Sequence, residues 1–343
     1  KYSIGAGIGL FIALIGLVDS GVVRGGVPLI TFGVYGELAG WPLFTFIAGL
    51  LLMIVLVARH VRGGILIGLV STTVLAIVLE TVFTIGSANT DPAAPGLENP
   101  TGWALNVPSV PSTFFGFVNP APLFKLDLFG AFTAAGAVAA GLAVFSLLLS
   151  DFFDTIGTVT GLAAQADLLD ANGEVEHLNE ILVVDSVAAI AGGLAGTSSN
   201  TSYIESASGI GDGARTGLAS VTTGVLFLLA TLIAPLTKIV PYEAAAPALV
   251  VVGFLMMTQV RKIDFNDFSI AIPSFLTIIL MPFTYSITNG IGAGLVSYVL
   301  IKVSQGKARD VSGMLWIISV AFALYFLAYA PRLVGARVDG KPG

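Results

Sequence analysis

The chain has 343 residues, 55% of them hydrophobic and only 10% charged, and its mean hydropathy is +0.94. A soluble domain carries about 25% charged residues, so the composition excludes a soluble globular fold and indicates a polytopic membrane protein. The formal charge of −6 comes from acids spread along the chain, the 15 basic residues form no stripe for nucleic acid, and the absence of cysteine excludes disulfides and thiolate metal sites.

Uncharged runs cover residues 4–18, 41–58, 63–79, 130–150, 186–204, 216–237, 244–260, 268–301 and 311–331. Most reach the roughly 17 to 25 residues that carry a helix across about 30 Å of hydrocarbon. The alternating polarity of barrel strands is missing, and in lipid the backbone must satisfy itself within each segment, so the runs predict an all-α polytopic bundle. The chain begins at Lys1 without the graded regions of a signal peptide, which suggests that an N-terminal part of the protein precedes it. Residues 87–127 hold seven of the sixteen prolines and are expected to form an exposed loop. Arg59 and Arg62, Arg261 and Lys262, and Lys302, Lys307 and Arg309 each follow an apolar run, while 87–127 carries only Lys125. The positive-inside rule then places the three basic groups in the cytoplasm and the long loop outside. Residues 165–180 fit this less well, since a cytoplasmic loop there holds five acids and no Lys or Arg. A short echo, "GGILIGLVST" at 63–72 against "NGIGAGLVSY" at 289–298, is of the kind that duplicated transporter halves leave.

Carboxylates inside a span are costly and mark functional sites by default. Asp19, Glu37 and Glu80 lie near the ends of apolar runs, within reach of water, and Asp185 opens a run after a polar loop, as an interfacial or capping residue does. Asp151 and Asp154 differ, because "SLLLSDFFDTIGTVTG" places them deep in the run from 130 to 164. A spacing of three puts both on one helical face with Thr155 and Thr158. Two carboxylates so placed repel each other in low dielectric, and a bound proton relieves that repulsion. Downstream, "TSSNTSYIES" at 197–206 is too polar for a lipid-facing helix and too weakly charged for an ordinary loop. Irregular backbone at membrane depth is tolerated only where protein buries it or water lines it. The stretch therefore reads as a crossing at 197–202 followed by a half-helix carrying Glu205, whose N–H groups and neighbouring hydroxyls face a ligand.

"DFFDTIGTVTG" (151–161), "TSYIESASGIGDGARTGLASVTTGVLFLLA" (201–230) and "DFNDFSIAIPSFLTIILMPFTYSITNGIGAG" (264–294) resemble the AzgA-type purine permeases, a branch of the nucleobase/ascorbate transporter superfamily. The resemblance implies the inverted-repeat nucleobase transporter fold, with two repeats of seven spans divided into core and gate domains and a broken helix at the substrate site. On that basis residues 1–86 are gate helices of the first repeat, 87–127 the extracellular Pro-rich loop, 128–237 the core, 238–331 gate helices of the second repeat, and 332–343 a polar tail. The family's first four spans have no counterpart in the chain. The family's acids match Asp151, with Asp154 as neighbour, and Glu205. An ionised carboxylate can accept two N–H bonds from a base, so Glu205 and Asp151 are expected to grip a purine, with Thr201 and Ser202 nearby and Phe152 or Phe153 stacking. Asp151, Asp154 and Glu205 are the proton-coupling candidates. The implied partners are a purine nucleobase, protons, the lipid bilayer and, as one alternative, a second copy of the chain; no cofactor, metal or nucleic acid is implied.

Other readings stay open on the residues alone. A transporter of the same fold for uracil, xanthine, ascorbate or an anion is one, although three acids would repel an anion. "GIGD" at 209–212 and "PAL" at 247–249 match short signatures of intramembrane aspartyl proteases, but no Tyr-Asp dipeptide supplies the second acid. A passive channel is disfavoured by an interrupted helix with paired acids, which suits a saturable site.

Overall fold

The computed structural model describes residues 2–26, 29–88, 99–110, 113–116, 123–170, 174–203, 205–211, 213–237 and 239–335. Among the described residues six helices are long and apolar enough to cross a membrane, Tyr2–Asp19, Trp41–Ala58, Gly64–Phe83, Ala137–Ala164, Tyr242–Lys262 and Ile287–Ser304, with shorter apolar helices at Gly217–Ala230, Phe268–Phe283 and Gly313–Leu327. We label the helices α1 (Tyr2–Asp19), α2 (Trp41–Ala58), α3 (Gly64–Phe83), α4 (Gly130–Ala135), α5 (Ala137–Gln165), α6 (Leu178–Leu194), α7 (Ser206–Gly211), α8 (Gly217–Ala230), α9 (Ala234–Thr237), α10 (Tyr242–Met257), α11 (Phe268–Phe283), α12 (Ile287–Ser304) and α13 (Gly313–Gly335). A small antiparallel pair, β1 (Val23–Gly25) with β2 (Ile30–Phe32), follows α1 in the register Arg24 opposite Thr31.

Helix α1 is the central strut and packs along α10 and α11. Close approach to α10 depends on missing side chains: a Cβ on Gly9 would sit 2.6 Å from the Gly253 carbonyl oxygen, and one on Gly16 would sit 2.9 Å from that of Ala246. Glycine here removes the bulk that would hold the two backbones apart. The two helices run antiparallel, since Lys262 lies over the Tyr2 ring at one end, 5.4 Å from its centroid, while Asp19 and Glu243 line one cavity at the other. Apolar residues of α1, α5, α10, α11, α12 and α13 meet in one core, which includes Ile8, Phe153, Met256, Met281, Ile291 and Phe322.

Helix α3 is built inside out. Gly68, Thr72 and Ala76 are buried against the bundle, whereas Leu66, Val70, Val74 and Val78 are all more than half exposed. Large apolar side chains outside and small ones inside are what lipid contact and close helix packing together require.

Three segment boundaries depart from the uncharged runs. The run 130–150 starts its long helix only at Ala137, because Gly136 takes φ 81° and ψ 155° between α4 and α5. The run 268–301 is two helices: α11 ends after Pro282, Tyr285 turns at φ 51°, and the Ser286 hydroxyl accepts the Asn289 N–H at 3.3 Å to start α12. The run 186–204 is helical only in its first half: helix α6 begins earlier, at Leu178, and ends at Leu194, and beyond it the Gly196 φ of 71° lets the Gly196 and Thr197 N–H groups close on Gly193 and Gly192 carbonyls at 3.0 Å.

Candidate substrate site

Helix α5 presents two chemically distinct faces. Leu149 and Phe153 are buried in the apolar core with Ile4 and Ile8 of α1. Asp151, Asp154 and Thr155 occupy the other side, toward the irregular segment between α6 and α7, and Thr155 is fully buried there.

Hydroxyl chemistry ties the break to α5 and α6. Ser199 donates to Asp151 Oδ1 at 3.0 Å, Thr155 donates to Asp185 Oδ2 at 2.9 Å, and the Thr155 and Thr201 hydroxyls are 2.8 Å apart. Thr155 has a single hydroxyl proton, and it goes to Asp185, so Thr201 must donate to Thr155. The result is a relay from Thr201 through Thr155 to Asp185, spanning three separate pieces of chain. Asn200 adds a bond to the Ala188 carbonyl oxygen at 3.3 Å. These bonds satisfy polar groups of a stretch that cannot hydrogen-bond to itself as a helix would.

The carboxylates of Asp151, Asp185 and Glu205 all act electrostatically on Asp154. Four acids thus converge around the break. Such a cluster is anionic as a whole and offers several acceptor oxygens to a ligand rich in N–H donors, or to protons.

Asp151, Asp154, Thr201 and Glu205 come together at the break, with Glu205 exposed immediately before α7. Ser202 is half-buried in the same stretch. Phe152 is 36% exposed beside the acids, whereas Phe153 is 8% exposed and packs edge-on to Phe152 as part of the apolar core, so of the two rings Phe152 is the one available to a ligand. The half-helix expected to carry Glu205 is α7, Ser206–Gly211, which begins one residue after that acid, and Asp212 of the "GIGD" signature lies outside the described residues.

Asp185 is the correction. It does not cap a helix; it lies seven residues into α6, which starts at Leu178, and accepts the Thr155 hydroxyl. Its signal was available in the neighbouring "LNEILVV", which extends the helical pattern N-terminally past the acid. The charges of Glu180 and Asp185 interrupt that helix, so the uncharged run begins only at residue 186. Glu80, by contrast, is structural: its carboxylate accepts the Trp103 indole N–H at 2.7 Å and the Ile85 N–H at 3.1 Å.

Comparison with known proteins gives the family. A profile described as "Permease family" matches residues 1–293. The chain belongs to that permease family. Among curated relatives, the adenine permease AdeQ of Escherichia coli (strain K12) is 37% identical over 324 residues, covering 94% of this chain and 66% of that protein. The guanine/hypoxanthine permease PbuG of Bacillus subtilis (strain 168) is 36% identical over 327 residues, covering 95% and 68%. The nucleobase transporter PlAzg2 of Paenibacillus larvae is 33% identical over 304 residues, covering 87% and 53%. The chain spans about two thirds of the length of the first two. The resemblance carried by the three sequence motifs therefore holds, the permease is a multi-pass protein of the cell membrane, and it is a transporter rather than an enzyme.

Proposed function

We propose that this permease carries purine nucleobases across the cell membrane, with the movement of each base coupled to protons at the α5–α6–α7 cluster. The observation that carries this reading is the pinning of a broken helix onto a carboxylate-bearing face by the Ser199–Asp151 and Thr201–Thr155–Asp185 bonds. Relatives that match nearly the whole chain are named for adenine or for guanine and hypoxanthine, which supports the purine class of substrate.

In this reading Glu205 and Asp151 accept ring N–H and exocyclic amine donors of the base, and Phe152 covers one face of its ring. Thr201 and Ser202 line the approach. Because Asp154 shares the field of three other carboxylates, a proton taken up there lowers the repulsion that an incoming base must otherwise meet. Helices α1–α3 and α10–α13 form the gate against which the core, 128–237, moves, and the loop 87–127 faces outward.

The test is initial-rate uptake of labelled hypoxanthine, adenine and uracil in cells lacking purine uptake, with and without a proton uncoupler. Saturable purine uptake that falls at least tenfold with uncoupler or with Glu205→Gln is expected, at unchanged membrane abundance. Background purine uptake by a folded protein, or uracil as the better substrate, would refute the purine assignment.

A further inference from the structure

A cavity of about 280 Å³ opens at the end of the bundle covered by residues 99–104. It belongs to different elements from the α5–α6–α7 cluster. Ala39, Pro42 and Leu43 supply apolar wall, and Asp19, Arg24 and Glu243 supply polar groups.

Glu243 is the unusual member. The residue is 2% exposed, yet only one of its carboxylate oxygens is satisfied: Oε1 accepts the Ala104 N–H at 2.9 Å, while the buried Oε2 has no hydrogen-bond partner among the described residues. An unpartnered buried carboxylate oxygen is costly, and native structures rarely leave one unmet by protein, water or a ligand. Across the same cavity Arg24 spends Nε on the Gly21 carbonyl oxygen at 3.1 Å and Nη2 on that of Pro100 at 2.9 Å. These two bonds fix the guanidinium plane at the cavity wall.

The cavity therefore offers an acceptor, a donor and apolar wall. Ligand pockets of this kind, mostly apolar with a few converging polar groups, run from about 300 Å³ upward for drug-sized molecules, so this one suits something smaller. Among the described residues no group of three or more acidic or histidine side chains is arranged to hold a metal ion. A flat heterocycle with an N–H edge would meet Glu243 Oε2 and offer a ring nitrogen or carbonyl oxygen to Arg24 at the same time.

We propose that this cavity is a second binding site for a small planar N–H-bearing heterocycle, a loading site for the nucleobase that is distinct from the transport site. The identity of the ligand rests on the purine reading above; the existence of the site rests on the unmet carboxylate oxygen.

Equilibrium dialysis of labelled hypoxanthine against the purified protein in lipid nanodiscs tests it. Two molecules bound per chain are expected, falling to one in Glu243→Gln and to one in Glu205→Gln. The glutamine at 243 keeps an oxygen for the Ala104 N–H while replacing the unpartnered acceptor with a donor. Ala39→Leu, which adds bulk to the cavity wall and leaves the Glu243 side chain unchanged, is expected to give one as well. One molecule per chain in the native protein, unchanged by Glu243→Gln and by Ala39→Leu but abolished by Glu205→Gln, overturns the second site and leaves the purine reading standing. No hypoxanthine bound at all overturns both.

Discussion

Thr155 connects three segments with one hydroxyl, so it is the residue whose replacement separates architecture from charge. Thr155→Val keeps the volume and removes both the bond to Asp185 and the one from Thr201. A hydrogen bond to a charged group is worth about 1.5–3 kcal/mol, so base uptake is expected to fall about tenfold or more, mainly through affinity. Kinetics of labelled hypoxanthine uptake at matched protein abundance checks this. Asp185→Asn supplies an oxygen for the same hydroxyl and is expected to be milder than Asp185→Ala. Equal loss in the two variants would mean that the charge at 185, rather than its bond to Thr155, is what transport needs.

Among elements, the α1–α10 pair is the most constrained by shape. Gly9→Ala places a Cβ 2.6 Å from the Gly253 carbonyl oxygen and 2.7 Å from Met256 Cβ, so the helices must part. Overpacking of this kind costs about 1–3 kcal/mol, and a lower thermal midpoint in detergent is the expected readout. Gly141→Ala is the control, since nothing lies within 4 Å of the added carbon on α5. Alanine there removes the entropic cost of a mid-helix glycine, about 1 kcal/mol, and stability should hold or rise. A common loss at both positions would show that close packing is not the cause.

For the whole molecule, the decisive feature is how residues 99–106 seal one end of the bundle. Trp103 is fully buried and donates to Glu80; Arg24 reaches Pro100, and Asn106 donates to the Val240 carbonyl oxygen at 3.4 Å. The segment thereby joins the ends of α3, α10 and the β1 strand, which are far apart in sequence. Glu80→Ala strips the buried indole N–H and two backbone N–H groups, those of Ile85 and Gly86, of their acceptor. Each unsatisfied buried donor costs about 1–3 kcal/mol, so the segment is expected to lift, and protease sites within 99–110 to become several-fold more susceptible. Cleavage at the native rate would mean that Trp103 is held by packing alone.

How much of this was legible beforehand follows from the range of the forces involved. Spanning helices are set by local composition, since lipid leaves a backbone no hydrogen-bonding alternative; the run 41–58 and helix α2 accordingly coincide. The acids at 151, 154 and 205 were legible too, because an intramembrane carboxylate stands out against apolar neighbours. Local pattern could not show that Asp185 belongs with them, since its partner Thr155 lies 30 residues away. Nor could it show Glu243, which reads as an ordinary first-turn acid of α10. What buries that carboxylate is a segment 139 residues earlier in the chain, folded over the helix end. Burial and desolvation are properties of assembled surfaces, and they turned one plain glutamate into a cavity acid while leaving another, Glu80, as the anchor of a tryptophan.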